Sequence, residues 1–114
     1  MSKETLPLLD HILQSIELVE RYTDGRTEKD FLQSVELSDR VIRRLEIIGE
    51  VVKNLPEDLK ADHPKIKWRE IAGMRDVLIH RYFEVDLELT WQVVQRDIPE
   101  LKKVIIQMKE GLRR

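Results

Sequence analysis

An antiparallel bundle of four to five helices, all-α, is the fold class this sequence predicts, and three observations carry that expectation. Apolar residues recur at steps of three and four along most of the chain, the stripe of helices packed on a core. Leu, Ile, Val, Glu, Lys and Arg dominate the composition. Only four glycines and four prolines punctuate 114 residues, too few for a sheet protein with many tight turns. That length suits one domain spanning 1–114.

The elements follow in order. Leu9, Ile12, Ile16 and Val19 place a helix over Leu6 to Tyr22, with Thr5 as its N-cap and Asp24-Gly25 as its stop. Thr27-Glu28-Lys29-Asp30 resembles a capping box and starts a short helix through Phe31 and Leu32. Leu37, Val41, Leu45, Ile48, Val52 and Leu55 form the stripe of a long helix from about Ser34 to Leu55. Pro56 to Pro64 reads as a polar connection with room for one helical turn. A third long helix is expected from Ile66 to Phe83, bent at Gly73. Asp86 then caps Leu87 to Gln95, and Asp97 with Pro99 restarts or kinks a last helix to about Leu112.

Composition excludes several classes of function. The absence of cysteine removes disulfides, thiolate metal sites and cysteine nucleophiles. No apolar run approaches the roughly 20 residues of a membrane helix, and no signal-peptide pattern opens the chain, so no membrane and a cytoplasmic protein are expected. A net charge of −2 gives no global attraction to nucleic acid, so local basic clusters would have to supply it. Candidates are Arg40, Arg43 and Arg44, the run Lys65-Ile66-Lys67-Trp68-Arg69, and the terminal Arg113-Arg114, although Trp68 at helical spacing from Ile71 also fits a core position. The glycines are isolated, no GxSxG or SxxK pattern occurs, and the three histidines lack HxH or HExxH spacing. No metal and no cofactor are expected.

The stretch RDVLIHRY, Arg75 to Tyr82, concentrates the remaining chemistry. On a continuous helix Leu78 and Tyr82 fall on one side of Arg75, and Ile79 and Phe83 on the other, all within about 80° of it. Arg75 then lies inside an apolar arc, where a guanidinium needs a carboxylate, a phosphate or an interface. A salt bridge to Glu46 or Glu50 is one way to satisfy it. His80 falls about 140° away from Arg75, off the apolar arc. It lies one turn beyond Asp76, whose carboxylate can accept its Nδ1–H and leave Nε2 free. A histidine satisfied at a surface or interface is the plainer alternative.

Arg75, His80 and Tyr82 form an Arg-x4-His-x-Tyr motif that resembles the signature of HepT-like toxins of the HEPN superfamily. The resemblance extends to Leu45-Glu46-Ile47-Ile48-Gly49-Glu50, to Trp68-Arg69-Glu70-Ile71-Ala72-Gly73-Met74, to Trp91 and to Ile98-Pro99-Glu100-Leu101. It implies a helical bundle forming a two-fold homodimer, with motif helices meeting in a cleft between subunits. It also implies metal-independent endoribonuclease activity, as the toxin of a toxin–antitoxin pair. The antitoxin implied is a minimal nucleotidyltransferase of the MntA type, which would transfer AMP from ATP to Tyr82. Cleavage of RNA without metal, by attack of a 2′-OH on the adjacent phosphate, needs a base, an acid and cationic stabilisation. A dimer would supply two copies of each group. On this reading His80 is the general acid/base, Arg75 stabilises the transition state, Asp76 orients His80, and Tyr82 positions RNA or His80. The alternatives are a non-catalytic HEPN module that binds nucleotide or RNA beside a nucleotidyltransferase, and a helical dimerisation protein that buries Arg75 and His80 in its interface.

Overall fold

The computed structural model describes residues 4–79 and 85–113. Among them the architecture is all-helical: α1 (Thr5–Thr23), α2 (Glu28–Gln33), α3 (Val35–Val52), α4 (Glu57–Ala61), α5 (Trp68–Ala72), α6 (Met74–Leu78), α7 (Leu87–Gln92), a π-helical turn (Val93–Asp97) and α8 (Ile98–Arg113). The long helix α1 packs on both α3 and α8, with the fully buried Leu9, Ile12, Ile16, Leu45, Ile48 and Leu101 among the core residues they supply. Two ion pairs across α1 and α8 reveal their direction. Glu20 meets Lys102 at 2.9 Å and Asp10 pairs with Lys109, so rising numbers on one helix match falling numbers on the other. The pair is antiparallel, as the bundle expectation requires.

Local signals account for most boundaries. Thr27 Oγ1 accepts the Asp30 N–H at 3.1 Å while the Asp30 carboxylate accepts the Thr27 N–H at 2.9 Å, the reciprocal capping box of α2. Hydrogen bonding from Thr27, its backbone N–H above all, holds the Asp30 carboxyl below the usual carboxylate range. Ser34 caps α3 through the Leu37 N–H, and Asp86 caps α7 through the Leu89 N–H. Gly25 takes the left-handed conformation, φ 70°, that follows the end of α1. Thr5, expected as an N-cap, is instead the first residue of α1, buried and giving no cap bond. Trp68 is half-buried and donates its indole N–H to the carbonyls of Lys60 and His63, both at 3.0 Å, tying α5 to the connection before it.

The helix expected over Ile66 to Phe83 is a correction. It begins at Trp68, breaks at Gly73, and α6 ends at Leu78. Ile79 is extended (φ −103°, ψ 117°) and forms an antiparallel bridge with Val85, while the Asp86 N–H donates to the Leu78 carbonyl at 2.8 Å. The Leu78 carbonyl is thus satisfied by the returning chain rather than by another helical turn. The expected wheel positions of His80, Tyr82 and Phe83 lie outside the described residues.

The helix expected from Leu87 to Gln95 also differs, because α7 passes through the π-turn into α8 without a break in helical structure. Pro99, the second residue of α8, has no N–H to give, and its ring would press on the carbonyl four residues back. The wider turn, in which the Ile98 N–H reaches back to the Val93 carbonyl, accommodates this immediately before the proline.

Candidate functional site

α6 is held to the core by Met74 and Leu78, one turn apart and almost fully buried. On so short a helix the buried arc centres between those two residues, and Arg75 falls on its flank. Arg75 is exposed, which corrects the expectation of a guanidinium within an apolar arc. That arc counts Ile79, which is extended rather than helical, together with Tyr82 and Phe83, which lie outside the described residues. Asp76 is exposed beside it.

Both residues open into a cleft of about 490 Å³ between α6 and the outer face of α3. Arg43, Glu46, Ile47 and Glu50 of α3 form the opposite wall. The close approach of the walls depends on Gly49, where a Cβ atom would lie 2.5 Å from the Ile71 carbonyl oxygen. The expected salt bridge from Arg75 to Glu46 or Glu50 is absent: Glu50 pairs with Lys53 at 3.1 Å, and Arg75 has no carboxylate within 4.0 Å among the described residues. The same holds for every described arginine, since the ion pairs between described residues all use lysine. The cleft also contains His11 of α1, which nothing in its own sequence neighbourhood connects to the motif. Its arrival follows from the packing of α1 against α3. His80 and Tyr82 lie outside the described residues, so the structure brings together Arg75 and Asp76 of the four sequence-predicted residues.

Behind α6 a smaller hollow of about 70 Å³ is lined by Lys67, Glu70, Met74, Val77, Asp97 and Glu100, among others. Asp97, from the π-turn, is one of its walls, and partial burial pushes its carboxyl above the ordinary carboxylate value; Lys67 opposes that shift, and Glu100 and Glu70 add to it. A raised folded-state pKa means that the native state holds the proton more tightly than the unfolded chain. Asp97 therefore lowers stability as pH rises from below its ordinary value of 3.8 through its raised folded-state pKa, and the penalty persists above that window. Asp97→Asn is expected to raise the melting temperature at pH 7 and to give no gain at about pH 3, where the carboxyl is largely protonated in both states. Thermal melts at the two pH values check this. An equal gain at both would assign the effect to packing instead.

Among the described residues no group of His, Cys, Asp and Glu is arranged to hold a metal ion, and no helix is long and apolar enough to cross a membrane.

A helical protein with an exposed arginine facing a cleft and unpaired among the described residues, at the head of an Arg-x4-His-x-Tyr sequence, is the class that fold and site define. Comparison with known proteins makes the class specific. Residues 12–108 match the family described as "Ribonuclease HepT-like", and the chain belongs to that family. It is 54% identical over 112 residues to a Methanocaldococcus jannaschii protein named "Gamma-glutamylcyclotransferase and putative RNase", covering 98% of this chain and 50% of that protein. It is 45% identical to a Caldanaerobacter subterraneus "Putative RNase", covering 98% and 97%, and 48% identical to a Thermococcus cleftensis "Probable ribonuclease HepT", covering 90% and 93%. The chain thus spans about half the length of the first of these relatives and nearly all of the other two. No solved structure matches it.

Proposed function

We propose that this chain is a metal-independent endoribonuclease acting as the toxin of a toxin–antitoxin pair, folded as one domain and active as a homodimer. The observation that carries the reading is Arg75: a solvent-facing guanidinium beside an open cleft, with no carboxylate among the described residues to neutralise it. Such a group is free to grip a phosphate bidentately, the role a phosphoryl-transfer site needs filled. The family membership and the relatives named as RNases support RNA as the substrate. His80 would move the proton between the 2′-OH and the leaving 5′-oxygen, with Asp76 fixing its tautomer. Two-fold pairing would supply the second acid/base.

The proposed antitoxin is a minimal nucleotidyltransferase that adenylylates Tyr82, placing a bulky anion where RNA must bind. One experiment separates the parts. Purified protein and its His80→Ala variant are incubated with total tRNA in EDTA, and the protein is then treated with ATP and a candidate nucleotidyltransferase. Cleavage by the wild type alone, lost when mass spectrometry shows one added AMP on a peptide containing Tyr82, is the expected result. Cleavage surviving in His80→Ala would remove the histidine from the mechanism. Adenylylated protein that still cuts would sink the proposed neutralisation.

A further inference from the structure

Three arginines beyond the Arg75 cleft form a second basic site. At the corner where α1 ends and α3 begins, Arg21, Arg26 and Arg40 line an open cleft of about 310 Å³. None of the three has a carboxylate within 4.0 Å among the described residues, although Asp24 and Glu36 share the same rim. The Arg40 guanidinium lies over the half-buried Tyr22 ring, 6.0 Å from its centre, a contact that positions this cation at the cleft.

This corner lies close to the Arg75 cleft along α3. Arg40 of α3 lines one cleft and Arg43 the other, less than one helical turn or about 4.5 Å of axial rise apart. The α3 residues of the two clefts are centred on the order of 15 Å apart along the helix, a span that a few nucleotides of extended strand cover. We propose that Arg21, Arg26 and Arg40 are an exosite for single-stranded RNA, holding phosphates upstream or downstream of the bond cut at Arg75. The proposal rests on the ribonuclease reading above. Three features favour this ligand. The cations are guanidinia, which match phosphate oxygens in pairs. Their charge is not spent on carboxylates among the described residues. They also stand near the Arg75 cleft along α3 instead of forming a remote patch, and basic grooves that track the backbone suit single strands.

The test uses the full chain with Arg40→Gln and with Arg21→Ala/Arg26→Ala, each checked by thermal melting. Binding is read by anisotropy on 2′-O-methyl RNA, which cannot be cut by 2′-OH attack, using a dinucleotide and a single strand of about ten nucleotides. Cleavage is read on the unmodified counterparts. The expected result is that each variant binds the longer strand about tenfold more weakly, with the salt dependence reduced by about 0.7 per lost phosphate contact. KM for the longer strand rises, kcat holds, and the dinucleotide is bound and cut as by the wild type. Unchanged binding of the longer strand, or equal losses on both lengths, overturns the exosite while leaving the ribonuclease reading intact. A wild type that neither binds nor cuts either length overturns the ribonuclease reading, and the exosite with it.

Discussion

Arg75→Ala is expected to lower kcat for RNA cleavage by about two to three orders of magnitude, the usual loss when one preorganised stabiliser of a developing charge is removed. It should do so with little change in stability, within about 0.5 kcal/mol, because Arg75 is exposed and supports no ion pair among the described residues. That combination discriminates. A dimerisation protein that buried Arg75 at its interface would lose association and melting temperature, not turnover. Arg75→Lys should recover only part of the rate, since an ammonium keeps the charge but not the planar fork. Steady-state cleavage rates beside thermal melts and sedimentation of the same preparations decide the matter. Undiminished cleavage by the alanine variant would remove Arg75 from the chemistry.

Gly49→Ala is expected to reverse the usual sign of its substitution. Alanine normally stabilises a helix interior over glycine by about 0.5–1 kcal/mol. At position 49 the new methyl would sit 2.5 Å from the Ile71 carbonyl oxygen and 3.3 Å from the Met74 Cβ. The first of these is backbone and cannot rotate away, so α3 and the α5–α6 segment must separate. A loss of about 1–3 kcal/mol follows, as for other overpacked contacts. Since Met74 adjoins Arg75, cleavage should fall as well. Gly111→Ala, where nothing lies within 4 Å of the added atom, is the control and should stabilise by the ordinary amount. Urea unfolding of both variants measures the contrast; a stabilised Gly49→Ala would show that the helices are less tightly apposed than this.

What the sequence makes legible is whatever depends on near neighbours. The stripes of α1 and α3 and the Thr27–Asp30 box are written within a few turns, and each is readable as such. The end of α6 is not, because Val77, Leu78 and Ile79 suit a buried helix and a buried extended segment equally well. The choice is made from further along the chain, where Asp86 donates its N–H to Leu78. The phase of Arg75 misleads for the same reason: the arc counts Ile79, which the chain takes out of the helix. His11 in the cleft is invisible to sequence reasoning because 32 or more residues separate it from each other wall, and only the packing of α1 on α3 joins them. The motif itself is evident in the sequence, while the cleft that Arg75 lines needs the fold.

The allocation of cations between lysine and arginine has a practical meaning for how this protein would respond to its surroundings. Lys102 and Lys109 fasten α8 to α1, and Lys53 and Lys60 pair with carboxylates one turn away. Most of these contacts are solvent-facing and of small energetic worth, so added salt should barely move the unfolding transition. On the reading proposed above the arginines answer to polyanions, whose grip on a protein weakens steeply with ionic strength. Folding and substrate capture then draw on separate circuits. A cell, or an experimenter, could switch the second off with salt while the first stays on.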